Sequence, residues 1–359
     1  MKAAQFHGAR DIRISSVPVP TPKSNQVLVD IEWCGICGSD LHEYLKGPLV
    51  IPTEENPHKI TGEALPVTLG HEFCGRISWA PDGSELKVGQ PVMVDPRLYC
   101  TSCLQCENTR TNMCQQWGFL GLSGTGGGLS ETVAVDANAC HVLPEGVDLR
   151  FAALIEPLTV ARHALKSSGL KFESLSVLVL GGGPVGVAVA MDLKVHGTHQ
   201  IIVSEPSLNR RNQVAKYCDA ALDPMEALIA DECRKLTGGT GVDVVFDCAG
   251  VMPALRTGFD ALRNQGTYVN VAGWGSPLTV PMEFFQLKEI VFRASMSYDE
   301  EDFVEVVKDF TTGRFPAVED MVTSRIKLED VAQRGFEELV QNKDYHIKIL
   351  VTPKPELLT

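Results

Sequence analysis

Midway along the chain, an unbroken apolar run, Ser176-Val177-Leu178-Val179-Leu180, stops at Gly181-Gly182-Gly183-Pro184-Val185-Gly186 and leads into a helical stretch, Val187–His196. Strand, glycines, then helix is the context that a phosphate-binding turn requires. Gly181 permits the tight turn, Gly183 lets the backbone approach a pyrophosphate, and Gly186 allows close packing of helix on strand. Pro184 and Val185 sit at the helix start, where unpaired N–H groups and the helix dipole favour an anion. A second strand, Gln200–Glu205, ends in an acid 24 residues past Gly181, close to the spacing at which a carboxylate holds ribose hydroxyls. Such a carboxylate accepts from a free 2′-hydroxyl and repels a 2′-phosphate, so NAD(H) is expected rather than NADP(H). Arg210 is grouped with this site, and with Arg211 it is placed to soften that repulsion. A further glycine run, Gly124-Thr125-Gly126-Gly127-Gly128, leads into a strand and reads as a loop or hairpin turn.

Around this turn the pattern is strand and helix in alternation. Val242–Phe246 and Thr267–Val271 continue the strands, and Asn209–Cys218 reads as a helix. Strands buried on both faces and separated by helices imply a doubly wound parallel sheet. The first 150 residues differ. Gln26–Glu32, Pro91–Asp95 and Glu131–Val135 alternate apolar and polar residues with period two, as half-buried strands do. A helix at Asp302–Phe310 and a strand at His346–Val351 close the chain.

Eleven cysteines occur in 359 residues, and Cys100, Cys103, Cys106 and Cys114 fall within fifteen of one another. Neighbours two residues apart close poor disulfide loops, whereas four thiolates in a short loop suit a closed tetrahedral zinc site. Spacing alone also permits an iron–sulfur cluster. A second, dispersed set is Cys34-Gly35-Ile36-Cys37-Gly38-Ser39-Asp40-Leu41-His42, Gly70-His71-Glu72 and Glu156-Pro157. Cys37 and His71 with Glu72 or Glu156 give the three protein ligands of a catalytic zinc with one open position.

These motifs, with Val179–Gly186, resemble the zinc-containing medium-chain alcohol dehydrogenases along essentially the whole chain, and within them the sorbitol and butanediol dehydrogenase branch. His42-Glu43-Tyr44, Gly47-Pro48, Ala64-Leu65-Pro66 and the ending His346–Pro353 point to the butanediol side of that branch. The resemblance implies an α/β fold: a GroES-like β-barrel catalytic domain plus a doubly wound parallel-sheet Rossmann domain. The expected division is 1–157 catalytic, 158–296 Rossmann and 297–359 catalytic again. It implies two zinc ions, one held by Cys37, His71 and Glu72, with Glu156 able to bind directly or through water, the other by the four clustered cysteines. Ser39 and His42 match proton-relay positions, Asp40 a partner of the metal-binding histidine, and Lys348 a basic residue at the cofactor pyrophosphate. Arg162 stands where an aromatic residue is common; facing the substrate, it would favour a carboxylate or a larger polar ligand.

The implied reaction is hydride transfer between NAD(H) and a small secondary alcohol or vicinal diol, of the 2,3-butanediol and acetoin kind. The alternative is a pathway-specific relative acting on a larger alcohol or ketone. Tyr44, Trp117 and Phe119 are candidate walls for a short carbon chain. A zinc-independent enone reductase does not account for Cys37, His71 and Glu72. A nucleic-acid partner fits poorly with a net charge of −13. No apolar run approaches the ~20 residues of a spanning helix. The expectation is therefore a cytoplasmic homodimer or homotetramer, the oligomer by family analogy alone.

Overall fold

In the computed structural model, residues 1–275, 279, 280 and 282–358 are described. They divide into two compact units. The first comprises Met1–Glu156, Asp299–Thr312 and Val322–Thr359, and the second Pro157–Tyr298 and Gly313–Met321. The expected single return near residue 297 is thus interrupted, because 313–321 rejoin the second unit. Three bonds hold them there: Tyr217 Oη to the Ala317 carbonyl at 2.8 Å, Lys216 to Asp320 at 2.6 Å, and Arg314 to the Val195 carbonyl at 3.0 Å.

The first unit is organised on the strand Gln26–Gly35, whose even and odd residues alternate between buried and half-buried before its end sinks into the core. It pairs antiparallel with Glu72–Trp79, Thr132–Asp136 and Lys348–Thr352. Its register sets which side chains meet. Gly35 lies opposite Glu72 and also opposite Leu350, so residues far apart in sequence come together at one strand end.

The second unit holds a six-stranded sheet in the order Ala220–Leu222, Gln200–Ser204, Ser176–Leu180, Val242–Asp247, Leu262–Asn270, Val291–Ala294. All its pairings are parallel. Its central strands are buried on both faces, which is why they read as continuous apolar runs. The helix Pro184–Val195 begins with proline in its first turn, where the missing N–H costs no hydrogen bond. No described helix is long and apolar enough to cross a membrane.

Arg162 is buried and pairs with the equally buried Asp192, Nη2 to Oδ1 at 2.8 Å and Nε to Oδ2 at 3.0 Å. Both residues belong to the second unit. Arg162 is thus balanced inside the fold, and the condition for a carboxylate-selecting arginine, that it face a substrate, is not met.

Candidate active site and cofactor turn

Cys37 caps the helix Gly38–Lys46, and the Asp40 carboxylate accepts its N–H at 3.0 Å. That helix projects Ser39, Asp40 and His42 from one short element. His71 reaches the same place from the start of the Glu72–Trp79 strand. Ligand atoms of Cys37, His71 and Glu72 all lie within 4.8 Å of one another. Asp40 Oδ1 stands 3.4 Å from His71 Nδ1, while Ser39 Oγ lies 3.1 Å from Nε2. The Asp40–His71 approach falls short of a formed hydrogen bond, leaving both atoms orphaned in a buried place. Burial works against an imidazolium here, yet the charges of Asp40 and Cys37 outweigh it and raise the His71 pKa. A thiol, an imidazole and a carboxylate brought to one point, with a buried carboxylate behind the imidazole, is the donor chemistry of a cation site, and it fits zinc.

The second glycine run serves this loop. Gly128 N–H donates to the Gly70 carbonyl at 2.8 Å and Leu129 N–H to Leu69 at 2.9 Å, fixing the backbone just before His71. The Phe119 ring meets His71 edge-on at 5.9 Å, and Trp117 meets Phe119 at the same distance. Tyr44 is not a wall: it is buried against Phe336, with its hydroxyl on Glu337. His42 is exposed, one turn along the helix from Ser39.

Lys348 adds a contact that the sequence does not reveal. It is 1% exposed, and its Nζ donates to both Glu72 oxygens, at 2.7 and 2.8 Å, and to the Ile36 carbonyl at 3.3 Å. Burial works against its charge; Glu72 first, then Cys37 and Glu156, outweigh it and raise its pKa. The strand Lys348–Thr352 pairs beside Gln26–Gly35, which brings this amine to Glu72 of the metal donor cluster. Glu156 is buried and close enough for its charge to act on Lys348, but it is not grouped with the three clustered donors.

Gly35, which carries no chemistry of its own, is required by this arrangement. A Cβ there would stand 2.0 Å from Glu72 Oε2. Gly35→Ala therefore pushes Glu72 off Lys348 and strands a buried ammonium, at a cost of about 3–5 kcal/mol. The expected result is a lowered melting temperature with loss of one zinc per chain; an unchanged melt with two zincs retained contradicts the close approach.

The four clustered cysteines form the second donor set, again with ligand atoms mutually within 4.8 Å. Cys103 Sγ–Cys106 Sγ is 3.5 Å and Cys100 Sγ–Cys106 Sγ is 4.0 Å. A tetrahedron with Zn–S bonds of ~2.3 Å has edges of about 3.8 Å, so the spacing fits zinc. Backbone N–H groups lower the Cys103 thiol to about 6, whereas burial and the neighbouring sulfurs raise Cys106 to about 12. Without a cation the four cannot all ionise. Cys103→Ser is expected to leave one zinc per chain and a protein that melts at lower temperature and aggregates; retention of two zincs would disprove the closed site.

In the second unit, Gly181 adopts φ +95°, and a Cβ on Gly186 would stand 1.9 Å from the Gly181 carbonyl oxygen. Glu205 is buried just beyond the Gln200–Ser204 strand, accepting Gly182 N–H at 2.6 Å and Ser207 N–H at 2.8 Å. Among the described residues no ion pair to Glu205 is present, so its charge is left for a ligand. Arg210 Nη1 lies over the turn, 3.5 Å from where a Gly183 Cβ would be. Arg211 is committed to the Glu205 and Pro206 carbonyls, at 2.7 and 3.0 Å, and to Asp223 at 2.8 Å. A bare backbone cradle beside an unneutralised carboxylate fits a dinucleotide with a free ribose.

Comparison with known proteins agrees with this geometry. Residues 23–145 match the alcohol dehydrogenase GroES-like domain family and residues 184–312 the zinc-binding dehydrogenase family. The chain is 39% identical to a (R,R)-butanediol dehydrogenase of Neisseria gonorrhoeae, over 98% of this chain and 99% of that protein. It is 38% identical to the (R,R)-butanediol dehydrogenase of Bacillus subtilis, over 98% and 100%. The crystal structure of 2R,3R-butanediol dehydrogenase from Bacillus subtilis superposes with a TM-score of 0.91 at 36% identity, covering 98% of this chain and 99% of that one.

Proposed function

The chain belongs to the zinc-binding alcohol dehydrogenase family, in its butanediol dehydrogenase branch, and we propose that it interconverts a vicinal diol and the matching hydroxyketone with NAD(H). The observation that carries this reading is the Cys37–His71–Glu72 donor cluster in a chain that also holds the glycine turn with the buried Glu205 carboxylate beside it. Zinc supplies Lewis acidity toward an alcohol or carbonyl oxygen, and NAD(H) accepts or gives the hydride.

Cys37 and His71 are assigned as zinc ligands. Both Glu72 oxygens are engaged by Lys348, so that pair is neutral in itself. Glu72 completes the clustered donor set while sharing its charge with Lys348, and Glu156, whose charge also reaches Lys348, is the further carboxylate able to bind directly or through water. Asp40 orients His71 through Nδ1, as a carboxylate behind a metal-bound imidazole does. Ser39 Oγ lies 3.1 Å from His71 Nε2, and with that nitrogen on a metal the Ser39 hydroxyl would accept the substrate proton while giving up its own. His42, three residues on along the same helix face, passes it to solvent. Trp117 and Phe119 offer an apolar wall beside His71.

Residence and assembly rest on separate observations. All eleven cysteines are unpaired, and two thiolate metal sites need reduced sulfur, which supports cytoplasmic residence. The edge strand Val291–Ala294 is exposed throughout, with Val291 and Phe292 both over 40% accessible; such an edge pairs readily with a second copy, which supports a homodimer or homotetramer. Light scattering that gives a monomer mass removes the oligomer.

The activity is tested on zinc-loaded protein with NAD and the isomers of 2,3-butanediol, and with NADH and acetoin, beside sorbitol, xylitol and simple secondary alcohols. The proposal expects the highest kcat/KM for a 2,3-butanediol isomer. Zinc-loaded, NADH-binding protein that turns over none of these moves the substrate to a larger alcohol; one that binds no dinucleotide contradicts the class.

A further inference from the structure

Asp247 ends the parallel strand Val242–Asp247, and five donors converge on it. Its Oδ1 accepts the N–H groups of Ala249 at 2.9 Å and Gly250 at 3.0 Å, and its Oδ2 accepts the Tyr268 hydroxyl at 2.7 Å. Its main-chain carbonyl accepts Val271 N–H at 3.0 Å and Ala272 N–H at 2.9 Å. Asp247 and Tyr268 are both fully buried, and among the described residues no ion pair to Asp247 is present. A buried carboxylate without a counter-ion is costly unless every acceptor site is used, and here hydrogen bonds alone hold it. Tyr268 is itself fixed, stacked on Phe259 at 4.7 Å and on Phe292 at 5.4 Å.

What these bonds fix is the carboxyl edge of the sheet. Turn 248–250 hangs from Asp247 and is tied to the neighbouring strand by Cys248 N–H to the Leu180 carbonyl, 2.9 Å, one residue before the glycine turn. Ala249 lies at van der Waals contact, 3.4 Å, from where a Gly181 Cβ would be. The start of the 271–275 turn hangs from the same residue. In the sheet order, Ser176–Leu180 separates Gln200–Ser204, which leads to Glu205, from Val242–Asp247 and Leu262–Asn270. A dinucleotide with its pyrophosphate at the glycine turn and its adenosine ribose at Glu205 has only the opposite side for its other half, along these two turns.

We propose that Asp247, anchored by Tyr268, is a positioning residue that sets the two turns receiving the nicotinamide riboside half of the cofactor. The proposal rests on the dinucleotide reading above and adds a division of labour: Glu205 and the glycine turn hold adenosine and pyrophosphate, and Asp247 holds the shape of the remainder.

The test is Tyr268→Phe, which removes one hydroxyl and keeps the ring stack, with Asp247→Asn as a second variant that retains an acceptor for the turn. Dissociation constants for NADH and for ADP, which lacks the nicotinamide half, are measured by calorimetry on zinc-loaded protein, with a melting curve for each variant. Tyr268→Phe is expected to weaken NADH about tenfold and ADP by less than about twofold, since an unsatisfied carboxylate oxygen lets the turns shift. Asp247→Asn is expected to fall between it and the wild type. Equal weakening of both ligands shows a general structural role and overturns the proposal, as does no change in either. Wild-type protein that binds neither ligand overturns the dinucleotide reading, and the proposal with it.

Discussion

Cys37→Ser is expected to lower kcat/KM for 2,3-butanediol by at least about a thousandfold while the chain stays folded. Lewis acidity stabilises developing charge on oxygen by several kcal/mol, and without the thiolate the metal has lost its softest ligand and one of its two balancing charges. Cys37 caps a short helix reciprocally with Asp40, whose carboxylate accepts the Cys37 N–H, and a serine oxygen caps a helix at least as well as a sulfur. The substitution therefore leaves the local backbone bonded. Metal analysis is expected to give one zinc per chain, held by Cys100, Cys103, Cys106 and Cys114, with an almost unchanged melting temperature. Full turnover with a single remaining zinc would show that the chemistry does not run through this donor set.

Glu205→Ser is expected to shift the ratio of kcat/KM for NAD over NADP by about a hundredfold toward NADP. Hydrogen bonds to a charged acceptor are each worth roughly 1.5–3 kcal/mol, so their loss weakens NAD by about ten- to a hundredfold. The same change removes the repulsion that excludes a 2′-phosphate. The gain for NADP stays modest, because Arg211 is already bound to two carbonyls and Asp223. Steady-state kinetics with both cofactors, wild type against variant, measures this. A wild type that prefers NADP(H), or a ratio unmoved by the substitution, contradicts the role assigned to Glu205.

How far the sequence alone reaches depends on how local each feature is. The cofactor turn is written within a dozen residues, since strand, glycines and helix are consecutive, and the structure has them in that order, with the helix starting at Pro184, three residues earlier than read. The four-cysteine lobe is equally local. The other metal site is not. Cys37, His71 and Glu72 meet because Gly35 stands opposite Glu72 in an antiparallel register, and no periodicity in either strand reveals that pairing. The resemblance supplies the ligands, but not their setting. Lys348, 276 residues after Glu72, arrives beside it through one more strand. An isolated lysine in an apolar run, Ile347-Lys348-Ile349, is the available sign, because a buried cation needs a carboxylate. Arg162 gives the same sign beside the buried Leu158 and Ala161 of its helix, and the structure pairs it with Asp192. Asp247 closes an apolar strand just before Cys248-Ala249-Gly250, a pattern legible only once the strand's neighbours are known.

That the open donor set makes the chain a diol dehydrogenase is tested most directly by measuring zinc content and NAD reduction on the same samples during stepwise removal and restoration of zinc. Two zincs per chain are predicted in active protein. Oxidation of 2,3-butanediol should fall to background as the more accessible zinc leaves, while the chain stays folded around the other, and return in proportion as zinc is restored. Undiminished oxidation in folded protein holding one zinc or none would contradict that role.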